Sequence, residues 1–361
     1  MVVRELETEG FRNLTSGRFR PGSGANILHG DNAQGKTNLL EAIWLFTGGR
    51  SFRGARDAEL PAFDGAGASL SMTFHAQERE QEAAIRIEKR RIATLNGLSL
   101  PTASKLAGIF CAVVFSPSHL SLIKDGPEER RRFIDTAYCQ LRPGYIATLA
   151  EYQRALVQRN ALLKAIRKDG ADPDLLDIWD RRLAEYGSRV TAARTAYCRR
   201  IAGPAEEIYA GLSGGRETLS LEYMVSGGES GSAAELEERL RQRRQTDIAA
   251  GFTTVGPHRD DLHVGIGGLA ARVYGSQGQQ RSAVLALKMA EASLLKEVTG
   301  EQPVALLDDV MSELDVNRQD YVLNHIEGWQ VFITCCEPAA VLRLTGGSLF
   351  RVEKGIITPE T

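Results

Sequence analysis

The sequence predicts an α/β protein in which a mixed sheet is contributed by both ends of the chain and an α-helical second lobe is inserted between them. Three observations support this fold class. Short apolar runs between turn residues fill roughly the first 115 residues and return near residue 300, as strands do. From Tyr145 to Tyr197, apolar residues instead recur every three or four positions, as on helices. A glycine-rich turn also stands between one early strand and an amphipathic helix.

The early apolar runs predict strands, with one helix starting near Lys36. The helical block predicts an antiparallel pair of helices that ends near Gly203. Its periodicity is interrupted by DGADPD, which offers Asp172 as an N-cap and Pro173 at the first helical position. The strand runs are VVRELE, ANILHG, ASLSMTFHA, AAIRIEKRRIATLNG and AGIFCAVVFSP.

Length and composition restrict the function classes. A chain of 361 residues exceeds what one core usually organises, so two lobes are expected: residues 1–140 with 250–361, and the inserted residues 141–249. A net charge of -2 gives no protein-wide positive field, so nucleic acid would need a local basic patch. The five cysteines show no C-x-x-C spacing, which suits a reducing compartment. No apolar run approaches the ~18 residues that span a bilayer, so we expect a cytoplasmic chain without a membrane partner.

The turn in ILHGDNAQGKTNLLEAIWLF has the spacing of a P-loop. Glycines let the backbone surround phosphates, and the N–H groups at a helix start point toward anionic oxygens. Lys36 is predicted to hold the β and γ phosphates, and the Thr37 hydroxyl to ligate Mg²⁺. ATP and Mg²⁺ are therefore the expected cofactors. The expected nucleotide-binding residues here are Gly30, Asp31, Asn32, Ala33, Gln34, Gly35, Lys36, Thr37 and Asn38.

A carboxylate at the end of a buried strand would complete the metal site. PVALLDD supplies it, because four apolar residues in succession are typical of a parallel strand covered on both faces. Asp308 is the predicted ligand on the Mg²⁺ side. Asp309 is predicted to orient or deprotonate the attacking water.

A third motif separates this chain from most P-loop proteins. Ser276, Gln277, Gly278 and Gln279 precede a long apolar-patterned helix and resemble the signature loop of ABC-type ATPases. In such enzymes this loop meets the γ-phosphate held by a second protomer, which implies a homodimer with ATP between two chains. SELD resembles the ABC D-loop, with Ser312 and Asp315 as its candidates. Thr334 in FITCC lies nearest the usual switch position, which is not a histidine here, so slow hydrolysis is expected.

The motifs together resemble the RecF family of bacterial recombination mediators, relatives of the SMC heads. They run from residue 10 to residue 315: GFRNL, GDNAQGKTNLLEAI, GRSFRG, PEERRRFID, VGPHRDDL, YGSQGQQRS and LLDDVMSELD. The resemblance implies an ABC ATPase head with a helical second lobe, and it adds Arg12 and Asn13 to the nucleotide site. Ser118 and His119 stand where acidic residues are expected after FSP, so no Q-loop residue is assigned.

The same resemblance implies a DNA-repair protein. It implies ATP-dependent binding to single-stranded DNA and to gapped or junction duplex, weak DNA-stimulated ATPase activity, and recombinase loading together with RecO and RecR. The residues themselves offer only local basic clusters, whose phosphate contacts would be sequence-independent and salt-sensitive. No single residue is assigned to DNA. The clusters are Lys124 with Arg130, Arg131 and Arg132; Lys89, Arg90 and Arg91; and Arg241, Arg243 and Arg244.

Three alternatives remain at this point. An ABC subunit of a transport complex predicts a switch histidine and a membrane partner. An ABC-related nuclease predicts a second carboxylate cluster with two-metal spacing, which the sequence does not offer. A P-loop kinase would transfer phosphate to an acceptor and has no use for SQGQ or SELD.

Overall fold

The computed structural model describes residues 1–63, 65, 67–226, 231–339, 341–342 and 346–360. The chain forms two compact units, which differ from the sequence-based lobes. Residues 121–140 and 250–281 belong to the second unit, and residues 208–216 to the first. One reason is an ion pair within the second unit, where the buried Arg130 donates to both carboxylate oxygens of the partly exposed Asp261 at 2.7 and 3.0 Å. The first unit comprises Met1–Leu120, Ile208–Arg216 and Ser282–Thr361, and the second Ser121–Glu207 and Glu217–Arg281.

The first unit contains two six-stranded sheets. One is antiparallel, in the order β2-β1-β4-β5-β6-β7. Its strands are β1 (Val2–Glu9), β2 (Gly17–Phe19), β4 (Ala68–Ala76), β5 (Arg79–Ile87), β6 (Arg91–Leu95) and β7 (Leu98–Leu100). The run AAIRIEKRRIATLNG thus forms two strands, because Lys89 and Arg90 turn the chain between them.

The other sheet is mixed, as the sequence predicts, in the order β15-β14-β3-β13-β12-β8. Five of its strands are parallel and only β15 is antiparallel. The strands β8, β12 and β13 are buried along their whole length, which explains their continuous apolar sequences. The strands are β3 (Ala25–His29), β8 (Ala112–Phe115), β12 (Val304–Asp308), β13 (Val331–Cys335), β14 (Ser348–Glu353) and β15 (Ile356–Glu360).

Both sheets share one apolar core with the helix that follows β3. That helix, α1 (Lys36–Leu45), starts at the predicted residue and buries most of its length. The core joins β1, β4 and β5 of the antiparallel sheet to β3 and β12 of the mixed sheet. The C-terminal part of α9 (Gln277–Thr299) and α10 (Val316–His325) also lie in the first unit.

The predicted antiparallel pair of helices is present as α4 (Tyr145–Asp169) and α5 (Leu176–Ser213). Asp172 caps the turn between them by accepting from the Asp174 N–H, and Pro173 opens a short 3-10 turn before α5. The prediction that the helical block ends near Gly203 is wrong. The helix runs to Ser213 through Pro204, because buried residues such as Ala205 and Tyr209 continue its apolar face.

Buried polar groups hold α4 and α5 together within the second unit. Arg159, with no exposed surface, donates to Asp180 and to Asp247 at 2.6 Å each. Arg159 also donates to the Thr253 hydroxyl at 2.9 Å. Because a buried charge is tolerated only when it is paired and hydrogen-bonded, these residues depend on one another.

A three-stranded antiparallel sheet, β11-β10-β9, and several short helices complete the second unit. Its elements, besides α4 and α5, are α2 (Ser121–Lys124), α3 (Pro127–Leu141), β9 (Leu219–Met224), α6 (Ala233–Gln242), α7 (Arg244–Ala250), β10 (Asp261–Ile266), β11 (Leu269–Ala270) and α8 (Ala271–Tyr274).

His258 is half-buried against α4 and stays neutral. Its Nε2 lies 3.0 Å from the carbonyl oxygen of Thr253, so this nitrogen donates. Its Nδ1 therefore accepts from the Tyr152 hydroxyl at 2.6 Å. Burial lowers the pKa of His258 from 6.5 to about 4.

We predict that His258 makes stability depend on pH. Since its pKa lies below the unfolded value, the unfolded chain binds this proton first. The contribution of His258 is complete above pH 6.5, and about 3 kcal/mol is lost as the pH falls toward 4. Urea unfolding at pH 7 and 4.5 should show a loss about 2 kcal/mol larger in the wild type than in His258→Gln. The exposed control His263→Gln should behave like the wild type. An equal loss in all three proteins would contradict the assignment.

Candidate nucleotide site

Two glycines permit the turn between β3 and α1. Gly30 has φ +144°, and a Cβ there would lie 2.3 Å from the carbonyl oxygen of Val352. Gly35, at the N-cap of α1, has φ +117°, a conformation that favours glycine. Within the described ranges, the N–H groups of residues 32–35 donate no hydrogen bond to the chain. Together with the helix start, they form a concave set of donors suited to phosphate oxygens.

The Lys36 side chain reaches back across this turn. Its Nζ donates to the carbonyl oxygens of Gly30 and Asp31 at 2.7 and 3.0 Å. The side chain is almost fully buried, so its charge is held inside the turn and not in bulk water. Such an ammonium group can attract the terminal phosphates of a nucleotide.

Thr37 and Asp308 meet at the end of the mixed sheet. The Thr37 hydroxyl donates to Oδ1 of Asp308 at 2.7 Å. Burial raises the pKa of the Asp308 carboxyl, although hydrogen bonds from Thr37 and Thr334 oppose that shift. A hydroxyl and a carboxylate both offer oxygen ligands, which Mg²⁺ prefers. Mg²⁺ commonly takes one or two ligands from the protein and completes its coordination shell with water and phosphate. The residues present therefore fit Mg²⁺.

Thr334 joins the two predicted acidic residues. In the sheet it pairs directly with Asp308, and its hydroxyl donates to Oδ1 of Asp308 at 3.1 Å. The same hydroxyl accepts from the backbone N–H of Asp309 at 2.9 Å. Thr334 is fully buried, so its hydroxyl is used between the aspartates. Asp309 itself is half-buried, with φ +51°, where the strand has ended.

Asn13 lies against the P-loop, whereas Arg12 is engaged elsewhere. Asn13 donates to the carbonyl oxygen of Ala33 at 2.9 Å, and Asn38 donates to Asn13 at 2.7 Å. Arg12 donates to both carboxylate oxygens of the buried Glu41 at 2.9 and 3.0 Å. The guanidinium of Arg12 thus anchors the loop that carries Asn13.

Sequence reasoning assigned no role to Arg53, which lies beside these residues. Its Nη1 donates to the Asn38 side chain at 2.7 Å, and its charge partly opposes the rise that burial causes in the pKa of Asp308. The turn that presents Arg53 is fixed by Ser51, whose hydroxyl accepts from the Arg53 N–H at 3.1 Å and contacts Glu41. No periodic pattern in the sequence identifies Arg53, although this residue lies within the motif GRSFRG.

Two further contacts on the P-loop were also missed. The exposed thiol of Cys336 donates to Asn32 at 3.3 Å and lies 3.9 Å from Nζ of Lys36. Gln34 accepts from the N–H groups of Lys354 and Gly355, at 2.7 and 2.9 Å. The hairpin between β14 and β15 therefore supports the turn, which its sequence did not indicate.

The predicted signature loop, residues 276–279, starts the long helix α9 in the second unit. Ser276 and Gln277 are exposed, so the loop is not buried in the core of its own chain. The Ser276 N–H donates to the side-chain oxygen of Gln279 at 2.7 Å, and the Gln279 N–H donates to the Ser276 hydroxyl at 3.3 Å. This reciprocal pair is a capping box. The helix start is thus ordered and open to solvent.

The predicted D-loop residues lie just after Asp309. The Ser312 hydroxyl donates to the Asp309 carbonyl oxygen at 2.8 Å. Asp315 caps α10, accepting from the Arg318 N–H at 3.2 Å, and it also pairs with the Arg318 side chain. Both residues are exposed.

The first unit alone therefore combines a phosphate cradle, a Mg²⁺-compatible oxygen pair and an adjacent carboxylate. This set can bind a nucleoside triphosphate and polarise its terminal phosphate. Groups of three or more His, Cys, Asp or Glu side chains that could hold a metal ion do not occur among the described residues. In the same ranges, no helix combines the length and apolar character needed to cross a bilayer.

Comparison with known proteins gives a consistent result. The family model "RecF/RecN/SMC N terminal domain" matches residues 2–354. A protein of Acetivibrio thermocellus named DNA replication and repair protein RecF is 38% identical over 365 residues, covering 98% of this chain and 99% of its own. Its namesake in Ruminiclostridium cellulolyticum is 41% identical over 344 residues, covering 93% of this chain and 92% of its own.

Solved structures show the same likeness. The recombination mediator protein RecF with ATP, described as part of the RecFOR pathway, superposes with a TM-score of 0.93 at 37% identity, covering 100% of this chain and 98% of its own. An Smc head domain from Pyrococcus furiosus has a TM-score of 0.55 at 16% identity, with 99% and 96% covered. The second likeness concerns the fold alone. Together they confirm the predicted ABC-type head fold.

We predict that Thr334→Val slows hydrolysis of a nucleoside triphosphate. Valine has nearly the same shape, but Asp308 loses a donor and the buried Asp309 N–H loses its acceptor. Removal of such hydrogen bonds should lower turnover by about tenfold and leave nucleotide affinity almost unchanged. Phosphate release and nucleotide titration would measure both. Thr73→Val on the half-exposed face of β4 is the matched control. Unchanged turnover in Thr334→Val would show that the aspartates do not depend on this hydroxyl.

Proposed function

The chain belongs to the RecF family of DNA replication and repair proteins, and we propose on that premise that it is an ATP-dependent DNA-binding protein of recombinational gap repair. ATP binding drives two copies together on DNA near junctions of single and double strand, and slow hydrolysis of ATP releases them. The protein acts in the cytoplasm, where it helps to load the recombinase together with RecR and RecO.

One observation carries this proposal: a single chain holds both a phosphate cradle and a second, exposed helix start. The cradle at Lys36 can surround the phosphates of its own nucleotide. The loop at Ser276 presents an exposed helix start, with the positive end of the α9 dipole, to solvent. An anion on another copy of the chain would be attracted to this helix start.

In the proposed dimer each ATP is bound by both copies. Lys36 of one copy holds the phosphates. Thr37 and Asp308 would hold Mg²⁺, which would shield the phosphate charge. Asp309 orients the attacking water, and Thr334 fixes both aspartates. Asn13 and Asn38 extend the phosphate cradle, and Arg53 adds a positive charge beside it. Arg12 supports the cradle, because its contact with Glu41 anchors the loop that carries Asn13. Ser276 to Gln279 of the other copy contact the γ-phosphate, while Ser312 and Asp315 lie along the seam.

Because ATP is shared, dimerisation and nucleotide binding form one linked equilibrium. ATP stabilises the dimer because it binds the dimer more tightly than the single chain. Hydrolysis of ATP removes that stabilisation. The chain therefore acts as a switch whose turnover is slow, since Asp309 is shorter than the glutamate usual in ABC enzymes and Thr334 replaces the switch histidine.

The basic clusters differ in how free they are to bind DNA. Arg130 and Arg244 are paired with carboxylates of their own unit, and Arg91 pairs with Asp57. Lys89 and Arg90 are instead exposed at the turn between β5 and β6. We propose this turn as one phosphate-contacting point, which would bind DNA without regard to sequence.

The dimer is tested by light scattering at micromolar protein with and without ATP. We expect a monomer without ATP and a dimer with it. Ser276→Arg should leave ATP binding by one chain intact but abolish dimerisation and turnover, because a bulky side chain then fills the helix start. Ser99→Arg, on the exposed strand β7, is the control. A monomer under all conditions, or full turnover in Ser276→Arg, would refute the shared site.

The DNA partner is tested by ATP turnover with gapped and linear duplex. Gapped duplex should stimulate more. Lys89→Glu with Arg90→Glu should reduce the stimulation, with unchanged basal turnover and a shallower salt dependence, because phosphate contacts are lost. Arg4→Glu with Lys105→Glu changes the same charge at other exposed positions and should not. Equal stimulation by both DNAs would contradict gap recognition.

A further inference from the structure

Glu217 contacts the signature loop from outside its sequence. Its Oε1 accepts a hydrogen bond from Nε2 of Gln279 at 2.5 Å. The next residue, Thr218, accepts from the Gly267 N–H at 2.9 Å, which extends the pairing of β9 with β10 by one step. Glu217 is therefore presented by the edge of an ordered sheet, and sites supported by such elements are held more rigidly than sites on free loops.

The side-chain amide of Gln279 is held by two partners of opposite polarity. Its oxygen accepts from the Ser276 N–H at 2.7 Å, and its nitrogen donates to Glu217. An amide offers an acceptor and a donor on neighbouring atoms, so it can serve both partners. A glutamate at position 279 would keep the capping box but would set a second carboxylate against Glu217.

We propose that Glu217 is a positioning residue for the signature loop. It fixes Gln279, Gln279 fixes Ser276, and the Ser276 hydroxyl and the first N–H groups of α9 are then preorganised for the terminal phosphate bound by a second copy. The inference rests on the function proposed above. Donors that are already in place cost no reorganisation when the phosphate arrives, and this is how such groups accelerate turnover.

The charge of Glu217 makes positioning distinguishable from a purely electrostatic effect. A carboxylate beside an anion site repels phosphate. If Glu217 acted only through its charge, its removal would strengthen dimerisation and raise turnover. Positioning predicts the opposite sign, because Gln279 and Ser276 become free to move.

The experiment compares Glu217→Ala, Glu217→Gln and the control Glu222→Ala in the full-length chain. Glu222 is exposed on β9. Glu217→Ala should lower kcat by about tenfold, the size expected for loss of a charged hydrogen bond, and weaken ATP-dependent dimerisation. ATP affinity of the single chain and the Tm should stay close to wild type. Glu217→Gln should be intermediate, since its amide oxygen still accepts from Gln279, and Glu222→Ala should be unaffected.

A reversed pair tests the contact itself. Gln279→Glu should be strongly impaired, and Glu217→Gln added to it should restore part of the turnover, because the new amide donates to the new carboxylate. If Glu217→Ala does not fold, this rescue decides the question: its absence overturns the inference.

Turnover in Glu217→Ala equal to or above wild type also overturns the inference. Ser276→Arg separates the two ideas. If Ser276→Arg is inactive while Glu217→Ala is normal, only the role of Glu217 is wrong. If Ser276→Arg is fully active, the shared nucleotide site is wrong as well.

Discussion

A single oxygen atom, Oδ1 of Asp308, connects the helix and the strands that form the nucleotide site. It accepts hydrogen bonds from Thr37 on α1 and from Thr334 on β13. The three residues meet because parallel strands end at the same edge of a sheet, and β3, β13 and β12 are neighbours there. The phosphate cradle, the carboxylates and the strand that supports them are thereby fixed relative to one another before any ligand binds.

The chain uses two helix starts in contrasting ways. At α1 the N-cap is a glycine and no side chain caps the helix, so the first backbone N–H groups are left open for a ligand. At α9 a serine and a glutamine cap each other. A self-capped helix start is more ordered, but its serine hydroxyl is already engaged, so its orientation depends on neighbours such as Glu217. This difference suits a cradle that wraps a ligand and a loop that meets one already bound.

The sequence predicted most of what local patterns determine. The P-loop, the continuous apolar run before Asp308 and the period of α4 and α5 each follow from spacing along the chain. Contacts that join distant segments could not be foreseen, such as Arg53 with Asn38. The extension of α5 through Pro204 escaped prediction for a related reason, since buried apolar residues outweighed a local helix breaker. The predicted lobe boundaries differ from those of the two units, because ion pairs such as Arg130 with Asp261 have no sequence signature.

The buried cluster around Arg159 constrains how this chain can diverge. Replacing Arg159 alone would leave the buried Asp247 without its cationic partner and Asp180 with Arg244 alone, and replacing Asp180 or Asp247 alone would leave the buried guanidinium undercompensated. A chain in which only one member of the cluster has been replaced is thus less stable than the original chain and than a chain in which the whole cluster has been replaced. The effect of a substitution at one of these positions therefore depends on which residues occupy the others. Homologues that lack one member of the cluster should have exchanged its partners as well.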